Sequence, residues 1–138
     1  MSQIVRLRPR GPYSLARSAD FLCGFTPAGG TSASTDAGRL VLGFLDETTY
    51  RPVTVRVTQP PGAPGDADVE VEVDGGDPAR VAAQAARMLS LDHDASPLAL
   101  VAARDAVVAK AIAEAPGFRP VCFPSPYEAA VWGVLAQR

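Results

Sequence analysis

The stretches Val53-Thr-Val-Arg-Val57 and Val69-Glu-Val-Glu-Val73 decide the fold, because each alternates valine with a polar or charged residue. A period of two places the valines of a strand on one face and the polar residues on the other, as in half-buried antiparallel strands. Arg39–Leu45 has the same period, with leucines and a phenylalanine at alternate positions. These three segments predict an antiparallel sheet with one apolar face and one charged face.

The chain before these strands predicts one more strand and a helix. Residues 3–8 predict a first strand, with Val5 and Leu7 facing the core, and residues 13–25 predict a helix that ends near Gly24. Its apolar side is expected to consist of Leu15, Ala19, Leu22 and Cys23. Residues 26–34 are rich in Gly, Ser and Thr and predict a connection, although residues 32–36 could instead form a further edge strand. Residues 59–65, rich in Pro and Gly, predict a loop.

A second helix is predicted to begin at Asp77, which can act as its N-cap with Pro78 in the first turn. The apolar stripe of this helix consists of Val81, Ala85, Met88 and Leu89, and the side chains expected to face solvent are Arg80, Gln84 and Arg87. The order strand, helix, three or four strands, helix predicts an α+β fold, in which two helices cover one face of the antiparallel sheet. We assign residues 1–91 to this domain.

From residue 92 onward the pattern changes to short helices, predicted at 96–103, 105–115 and 125–137. In the last helix Ser125 can act as N-cap, and Glu128, three residues later, completes a capping box. Val131, Val134 and Leu135 form an apolar stripe that nothing later in the chain can cover. We therefore expect residues 92–138 to be the truncated start of a helical domain, in a truncated or split protein.

The composition is that of an ordinary globular domain, with 47% hydrophobic residues, 20% charged residues and a formal net charge of −2. No run of 18 apolar residues occurs, and residues 1–10 lack the apolar core of a signal peptide, so we expect a cytoplasmic protein. Cys23 and Cys122 are too few and too far apart for a disulfide framework. We expect both to be buried free thiols.

The charges are unevenly distributed along the chain. Residues 1–60 carry seven arginines against four carboxylates, whereas residues 61–94 carry eight carboxylates against two arginines. Such asymmetry can mark a surface for a polyanion, and Arg6, Arg8 and Arg10 could contact phosphates. The interpretation that we favour is that the arginines occupy solvated strand faces.

Two groups of carboxylates could suggest catalysis or metal binding. Asp92 and Asp94 flank His93, but one histidine with two aspartates fits no closed ligand set, so we interpret them as helix caps beside a solvated histidine. Glu70 and Glu72 fall on the charged face of a predicted strand. We expect no metal site and no cofactor.

The second half of the chain carries a family resemblance. The residues concerned are Ala86-Arg-Met-Leu-Ser-Leu-Asp-His-Asp94, Arg104-Asp105, Pro116-Gly-Phe-Arg-Pro120 and Phe123-Pro-Ser-Pro-Tyr-Glu-Ala-Ala-Val-Trp-Gly-Val-Leu-Ala-Gln-Arg138. This sequence resembles bacterial 3-methyladenine DNA glycosylase II, the AlkA type of the helix-hairpin-helix superfamily. The resemblance implies a TATA-binding-protein-like α+β domain, followed by an all-helical domain, in a nucleoid-associated enzyme of base-excision repair that hydrolyses the N-glycosidic bonds of alkylated bases.

The resemblance also implies which parts are missing. The family's helix-hairpin-helix, catalytic aspartate and most of its base pocket correspond to positions after residue 138, so no catalytic residue can be assigned and the chain is expected to be inactive alone. Gln137 and Arg138 match family positions near the DNA, with Arg138 where a side chain enters the gap left by a flipped base. Double-stranded DNA is the expected partner of the complete enzyme, with weak or absent binding by this chain.

The alternative function is a non-catalytic interaction module that oligomerises or recruits a partner through residues 125–138. The candidate interface residues are Tyr127, Val131, Trp132, Val134 and Leu135. For Tyr127 and Trp132 we favour core packing over base stacking. The exposed stripe predicts that the helix either forms a homodimer, contacts a missing helical half, or folds back onto the sheet domain.

Overall fold

The computed structural model describes residues 2–25, 33–36, 39–60 and 67–137. Within these residues the chain forms an α+β fold, as predicted, with five strands and five helices. In chain order they are β1 (Gln3–Leu7), α1 (Leu15–Gly24), β2 (Ala33–Asp36), β3 (Arg39–Leu45), β4 (Pro52–Thr58), β5 (Val69–Asp74), α2 (Pro78–Met88), α3 (Leu98–Ala102), α4 (Ala106–Glu114) and α5 (Pro126–Leu135).

The strands form one antiparallel sheet in the order β1-β5-β4-β3-β2. The four strands predicted from residues 3–8 and from the three period-two segments are confirmed, and the alternative of an edge strand near residues 32–36 is realised as β2. The alternating register brings like residues together, because Val55 of β4 pairs with Val73 of β5 and with Leu42 of β3. Most of the connection predicted at residues 26–34 and of the loop predicted at 59–65 lies outside the described residues.

The core lies between the sheet and the two longer helices of the first half. The inward valines of β4 and β5 are at most 3% exposed, and α2 packs across β1, β5 and β4 while α1 packs on β2. Val5 and Leu7 contribute from β1, as predicted. Glu70 and Glu72 lie on the opposite face, where each forms an ion pair with an arginine of a neighbouring strand. One face of the sheet is therefore apolar and covered, and the other is charged.

The helix α1 differs from its prediction at one position. Leu15, Ala19 and Leu22 are buried, but Cys23 is exposed and Ser18 takes an inner position. Positions 15, 18, 19 and 22 follow the helical spacing of three and four, whereas residue 23 is turned about 100° from residue 22 and faces solvent. Cys122 is exposed as well. The prediction of two buried thiols is therefore wrong.

The helix α2 begins as predicted, since the Asp77 side chain accepts a hydrogen bond from the Arg80 N–H at 2.8 Å. The prediction that Gln84 faces solvent is wrong, because this side chain is fully buried. Its amide donates to the carbonyls of Leu45 and Pro124 and accepts from the Glu47 N–H, so three main-chain groups replace water around it.

The three short helices of the second half are present, but none of them has a buried residue. The chain between α4 and α5 returns to the sheet domain: the Cys122 N–H donates to the Met88 carbonyl, and the Ser14 N–H donates to the Gly117 carbonyl, both at 2.8 Å. The division at residue 92 stays a prediction. Among the described helices there is none with the length and apolar character that a membrane span requires.

Candidate functional site

An apolar groove of about 670 Å³ separates α5 from the sheet domain. Its walls come from α1, from the ends of β3 and β4, from residues 121–124 and from α5. The groove exists because α5 does not lie on the sheet, so that the apolar ends of β3 and β4 face α5 across open space. This volume lies within the range of small-molecule sites, about 300–1,000 Å³.

Aromatic rings from three different segments surround the groove. The Phe25 ring, just after α1, is 6.1 Å from Phe123 and 6.3 Å from Trp132 of α5, measured between ring centroids. Phe123 and Trp132 are 6.4 Å apart. Phe21 stacks on Phe25 at 5.4 Å. These distances are within the range of favourable aromatic pairs and show that α5 touches the sheet domain through its rings.

Glu128 supplies the groove's charge, because it is the one ionisable acid or base with a formal charge at neutral pH among the described lining residues. The predicted capping box is half formed: the Ser125 hydroxyl accepts from the Glu128 N–H at 3.3 Å, but no return bond joins the Glu128 carboxylate to Ser125 among the described hydrogen bonds. Burial raises the pKa of Glu128 above its ordinary value. The carboxylate is therefore partly desolvated, and it has no described cationic partner.

The five interface candidates on α5 differ in how far they are exposed to solvent. Val131 and Trp132 are each 38% exposed, whereas Tyr127, Val134 and Leu135 are 64% exposed or more. The prediction that Tyr127 packs in the core is therefore wrong, because this side chain lines the groove and is mostly exposed to solvent. Trp132 is only half covered, by Phe25 and Phe123. An uncovered apolar stripe on α5 is what the sequence predicted.

A buried cation joins the two halves of the chain, and the sequence analysis missed it. Arg119 is 4% exposed, and all five of its N–H groups donate to main-chain carbonyls at 2.6–3.0 Å. The accepting residues are Arg10, Gly11, Pro12, Ser90 and His93. The signal for this site was the Pro-Gly-Phe-Arg sequence, which we used only for the family resemblance.

Tyr13 forms the floor under this cation. The Arg119 guanidinium carbon is 5.6 Å from the centre of the Tyr13 ring, within the range of a cation–π contact. Burial raises the pKa of Tyr13 to about 12, and the nearby Ser18 hydroxyl and Arg119 charge oppose this shift. Desolvation lowers the pKa of Arg119 from its ordinary value, although an arginine stays charged at any physiological pH. The site is a structural junction with no free acid or base.

A second polar junction holds the turn between β3 and β4. The buried Asp46 carboxylate accepts from Arg80 at 3.1 and 2.6 Å, from the Thr48 N–H at 3.0 Å and from the Thr49 hydroxyl at 2.8 Å. The hydrogen bond from Arg80 lowers the pKa of Asp46 well below its usual range, and the bond from Thr48 adds to the effect. Because Asp46 stays ionised and is enclosed by its hydrogen-bond donors, we interpret the pair that it forms with Arg80 as structural.

The Asp92-His93-Asp94 sequence forms no metal site. Within the described residues no cluster of three His, Cys, Asp or Glu side chains could hold a metal ion. His93 is exposed, as predicted. Asp94 accepts from the Ser96 N–H at 2.9 Å, which lowers the pKa of Asp94 and closes the turn before α3. The expected role as a helix cap is not found for Asp92 among the described hydrogen bonds. Asp94 has a related role, but in the turn that precedes α3 and not at its N-cap.

The DNA-contact candidates are not brought to the groove. Arg6 and Arg8 lie at the β1 edge of the sheet, where they pair with Glu70 and Asp68, whereas the groove adjoins β3 at the other side. Arg10 donates to the Asp92 carbonyl. Gln137 is exposed at the end of α5, and Arg138 lies outside the described residues. Comparison with models of protein families, with curated proteins and with solved structures found no match.

Proposed function

We propose that this chain is the N-terminal part of a nucleoid-associated DNA N-glycosylase that removes alkylated bases, and that it is inactive by itself. The resemblance of residues 86–138 to the AlkA-type family carries the proposal. In it, residues 1–91 correspond to the TATA-binding-protein-like domain, and residues 92–138 correspond to the first helices of the helix-hairpin-helix domain. The observed α+β order, with two helices on one sheet face and short helices afterwards, is compatible with that correspondence.

The proposed inactivity follows from the family correspondence, in which the helix-hairpin-helix and the catalytic aspartate fall after the positions that this chain matches. Hydrolysis of the N-glycosidic bond needs an ionised carboxylate beside the developing sugar cation. Asp46 is ionised but enclosed by Arg80, and Glu128 has a raised pKa in an apolar groove. Asp46 is therefore not accessible, and the proposal assigns the catalytic acid to residues outside this chain.

Base release from methylated duplex DNA tests the two parts of this proposal separately. The intact 138-residue chain should release no base above the rate without protein. A chimera, in which this chain replaces the corresponding N-terminal part of an AlkA-type glycosylase, should release 3-methyladenine. An unrelated α+β domain at the same position serves as the control and should give no release. Release by the isolated chain would contradict its inactivity, and an inactive but folded chimera would contradict the family assignment.

A second candidate is a non-catalytic interaction module that uses α5. The observation in its favour is that four apolar residues at helical positions i, i+4, i+7 and i+8 are each at least 38% exposed, namely Tyr127, Val131, Val134 and Leu135. If these residues associate, Val134→Lys should shift the sedimentation coefficient toward that of the monomer. Val107→Lys on α4 is the matched control, because Val107 is 78% exposed and equally apolar. A wild-type chain that stays monomeric and captures no helical partner would contradict this candidate.

A further inference from the structure

We propose that the outer edge of β1 binds an extended acidic segment of a partner protein, which adds to the sheet as a sixth, antiparallel strand. The segment alternates apolar residues with aspartate or glutamate, and it is held by the β1 main chain together with Arg6 and Arg8. Strand addition of this kind takes its affinity from main-chain hydrogen bonds and its specificity from alternate side chains. This surface lies outside the proposed function, and its role does not depend on that function.

The edge is open for pairing among the described residues. The strand order places β1 at one end of the sheet, where Gln3–Leu7 pairs with β5 on one side and with no described strand on the other. In an antiparallel pair, every second residue directs its N–H and C=O away from the partner strand. Those outward groups form a row with which an extended segment can pair. No proline interrupts Gln3–Leu7, so no N–H is lost from the row.

The apolar layer of the sheet is incompletely covered at this edge. Val5 and Leu7 face the core but are only half-buried. Their register partners on β5, Val71 and Val69, are fully buried, because β5 has a strand on each side whereas β1 has one on a single side. Apolar side chains of an added strand would lie beside Val5 and Leu7 and cover them. The partner segment should therefore carry apolar residues at every second position.

The remaining positions of the segment should be acidic, because two arginines lie at this edge on the charged face. The side chains of Arg6 and Arg8 are 73% and 72% exposed. Arg6 donates from Nε to Glu70 at 3.0 Å, and a guanidinium nitrogen of Arg8 lies 3.9 Å from the Asp68 carboxylate. A guanidinium has five N–H groups, so donors remain for carboxylates on the outer side.

The strand β5 shows the sequence pattern that β1 accepts. Its sequence Val69-Glu-Val-Glu-Val73 places valines beside the inner residues of β1 and a glutamate beside Arg6. A strand presents the same side chains to both of its neighbours, so the same pattern fits the outer edge. A second copy of this chain fits less well through its own β1, because residues 1–10 contain three arginines and no carboxylate.

A synthetic peptide with the sequence of residues 67–74, blocked at both termini, is the direct probe. One control peptide replaces its four acids by the corresponding amides, and a second has the same composition with the acids in one block. Anisotropy of labelled peptides measures affinity for the whole chain, and amide NMR signals locate the bound peptide. The acidic alternating peptide should bind about tenfold more tightly than either control, because each pair of opposite charges across two strands contributes up to about fivefold. It should shift the signals of Gln3–Leu7.

Arg6→Gln tests the charge pairing on the protein side. This variant should bind the acidic peptide about threefold more weakly and the amide peptide as the wild type does. Arg56→Gln is the matched control, because Arg56 lies on the same charged face and pairs with Glu72 but belongs to the inner strand β4. It should bind both peptides as the wild type does. No binding of the acidic peptide, equal binding of the acidic and amide peptides, or equal losses in the two variants would overturn the proposal.

Two other occupants of the edge are distinguished by the same NMR signals. Signals of Gln3–Leu7 that shift with protein concentration alone would show that a second copy of the chain pairs there. An oligothymidine of eight nucleotides that shifts these signals at lower concentration than the acidic peptide would show that Arg6 and Arg8 serve a nucleic acid. Either result would overturn the assignment of an acidic protein segment to this edge.

Discussion

Arg119 forms no ion pair with a carboxylate among the described residues, yet it is nearly inaccessible to water. Its guanidinium is compensated by the partial negative charges of five main-chain carbonyls and by the face of Tyr13. The planar guanidinium directs its donors in fixed directions, which a lysine ammonium cannot reproduce. At the scale of the single residue, Arg119 therefore connects three segments of main chain that are distant in sequence.

Replacement of Arg119 should destabilise the fold strongly. Arg119→Met keeps the aliphatic stem but leaves carbonyls unpaired, at a cost of about 1–3 kcal/mol for a buried group, so we expect a loss of at least about 3 kcal/mol in the free energy of unfolding. Arg119→Lys should lose less, because its ammonium can still serve up to three of the carbonyls. Urea denaturation measures both. If Arg119→Met unfolds at the urea concentration of the wild type, the junction does not contribute to stability.

The ion pair of Asp46 makes a prediction about pH. Its pKa is lowered in the folded state, so its contribution to stability is present above the unfolded pKa, about 3.9, and is lost as the pH falls below that value. Asp46→Asn should therefore lower stability at pH 7 and flatten the acid dependence of the unfolding free energy. Asp74→Asn, at an exposed strand end, is the control. An acid profile identical to that of the wild type would contradict the assignment.

At the scale of the element, α5 is a helix with a capped N-terminus and no buried residue. Ser125 caps its first turn, and among the described aromatic pairs the one that joins α5 to the sheet domain is Trp132 with Phe25. Short helices are marginal in water unless their apolar face packs, so α5 should exchange its amide hydrogens faster than α2, whose inner face is buried.

Removal of the cap should therefore affect α5 selectively. Ser125→Ala should cost about 1 kcal/mol of helix stability, because the Glu128 N–H loses its acceptor. Ser125→Asp keeps an acceptor and should behave as the wild type. Hydrogen exchange measured by mass spectrometry should show faster exchange in residues 126–135 and unchanged exchange in α2. An effect of equal size in both helices would show that α5 unfolds only together with the whole domain.

The sequence predicted these elements well but not the junctions between them. Strict alternation of valine with polar or charged residues allows a single division into inner and outer faces, which is why β4 and β5 were predicted correctly. Gln84 was assigned to solvent because a helical pattern counts it as polar, whereas burial depends on three main-chain partners from other segments. Arg119 was missed for the same reason, and Glu128 was predicted to bond Ser125 rather than to face a groove. Long-range polar contacts leave no periodic signal in a sequence.

At the scale of the whole molecule, α3 and α4 contact each other and contribute no buried residue to the core. The chain leaves the sheet domain before α3 and returns to it after α4. The chain leaves at the Ala95 N–H, which donates to the Arg10 carbonyl, and it rejoins where Gly117 accepts from Ser14. Both points lie beside the Arg119 junction. A short Gly-Ser linker in place of residues 96–114 should therefore preserve cooperative unfolding, to be measured by calorimetry. A chain cut after residue 91 lacks Arg119 and should unfold at lower temperature.

The return of residues 115–124 to the sheet domain has an evolutionary consequence. Because entry and exit of the helical hairpin lie next to one another on a surface held by its own buried cation, length changes in the hairpin need not disturb the strands. The pair of helices α3 and α4 is thus a position at which this α+β scaffold can accept new sequence. Residues 115–124, which follow the pair, still pack on the sheet domain whatever the length of the inserted sequence.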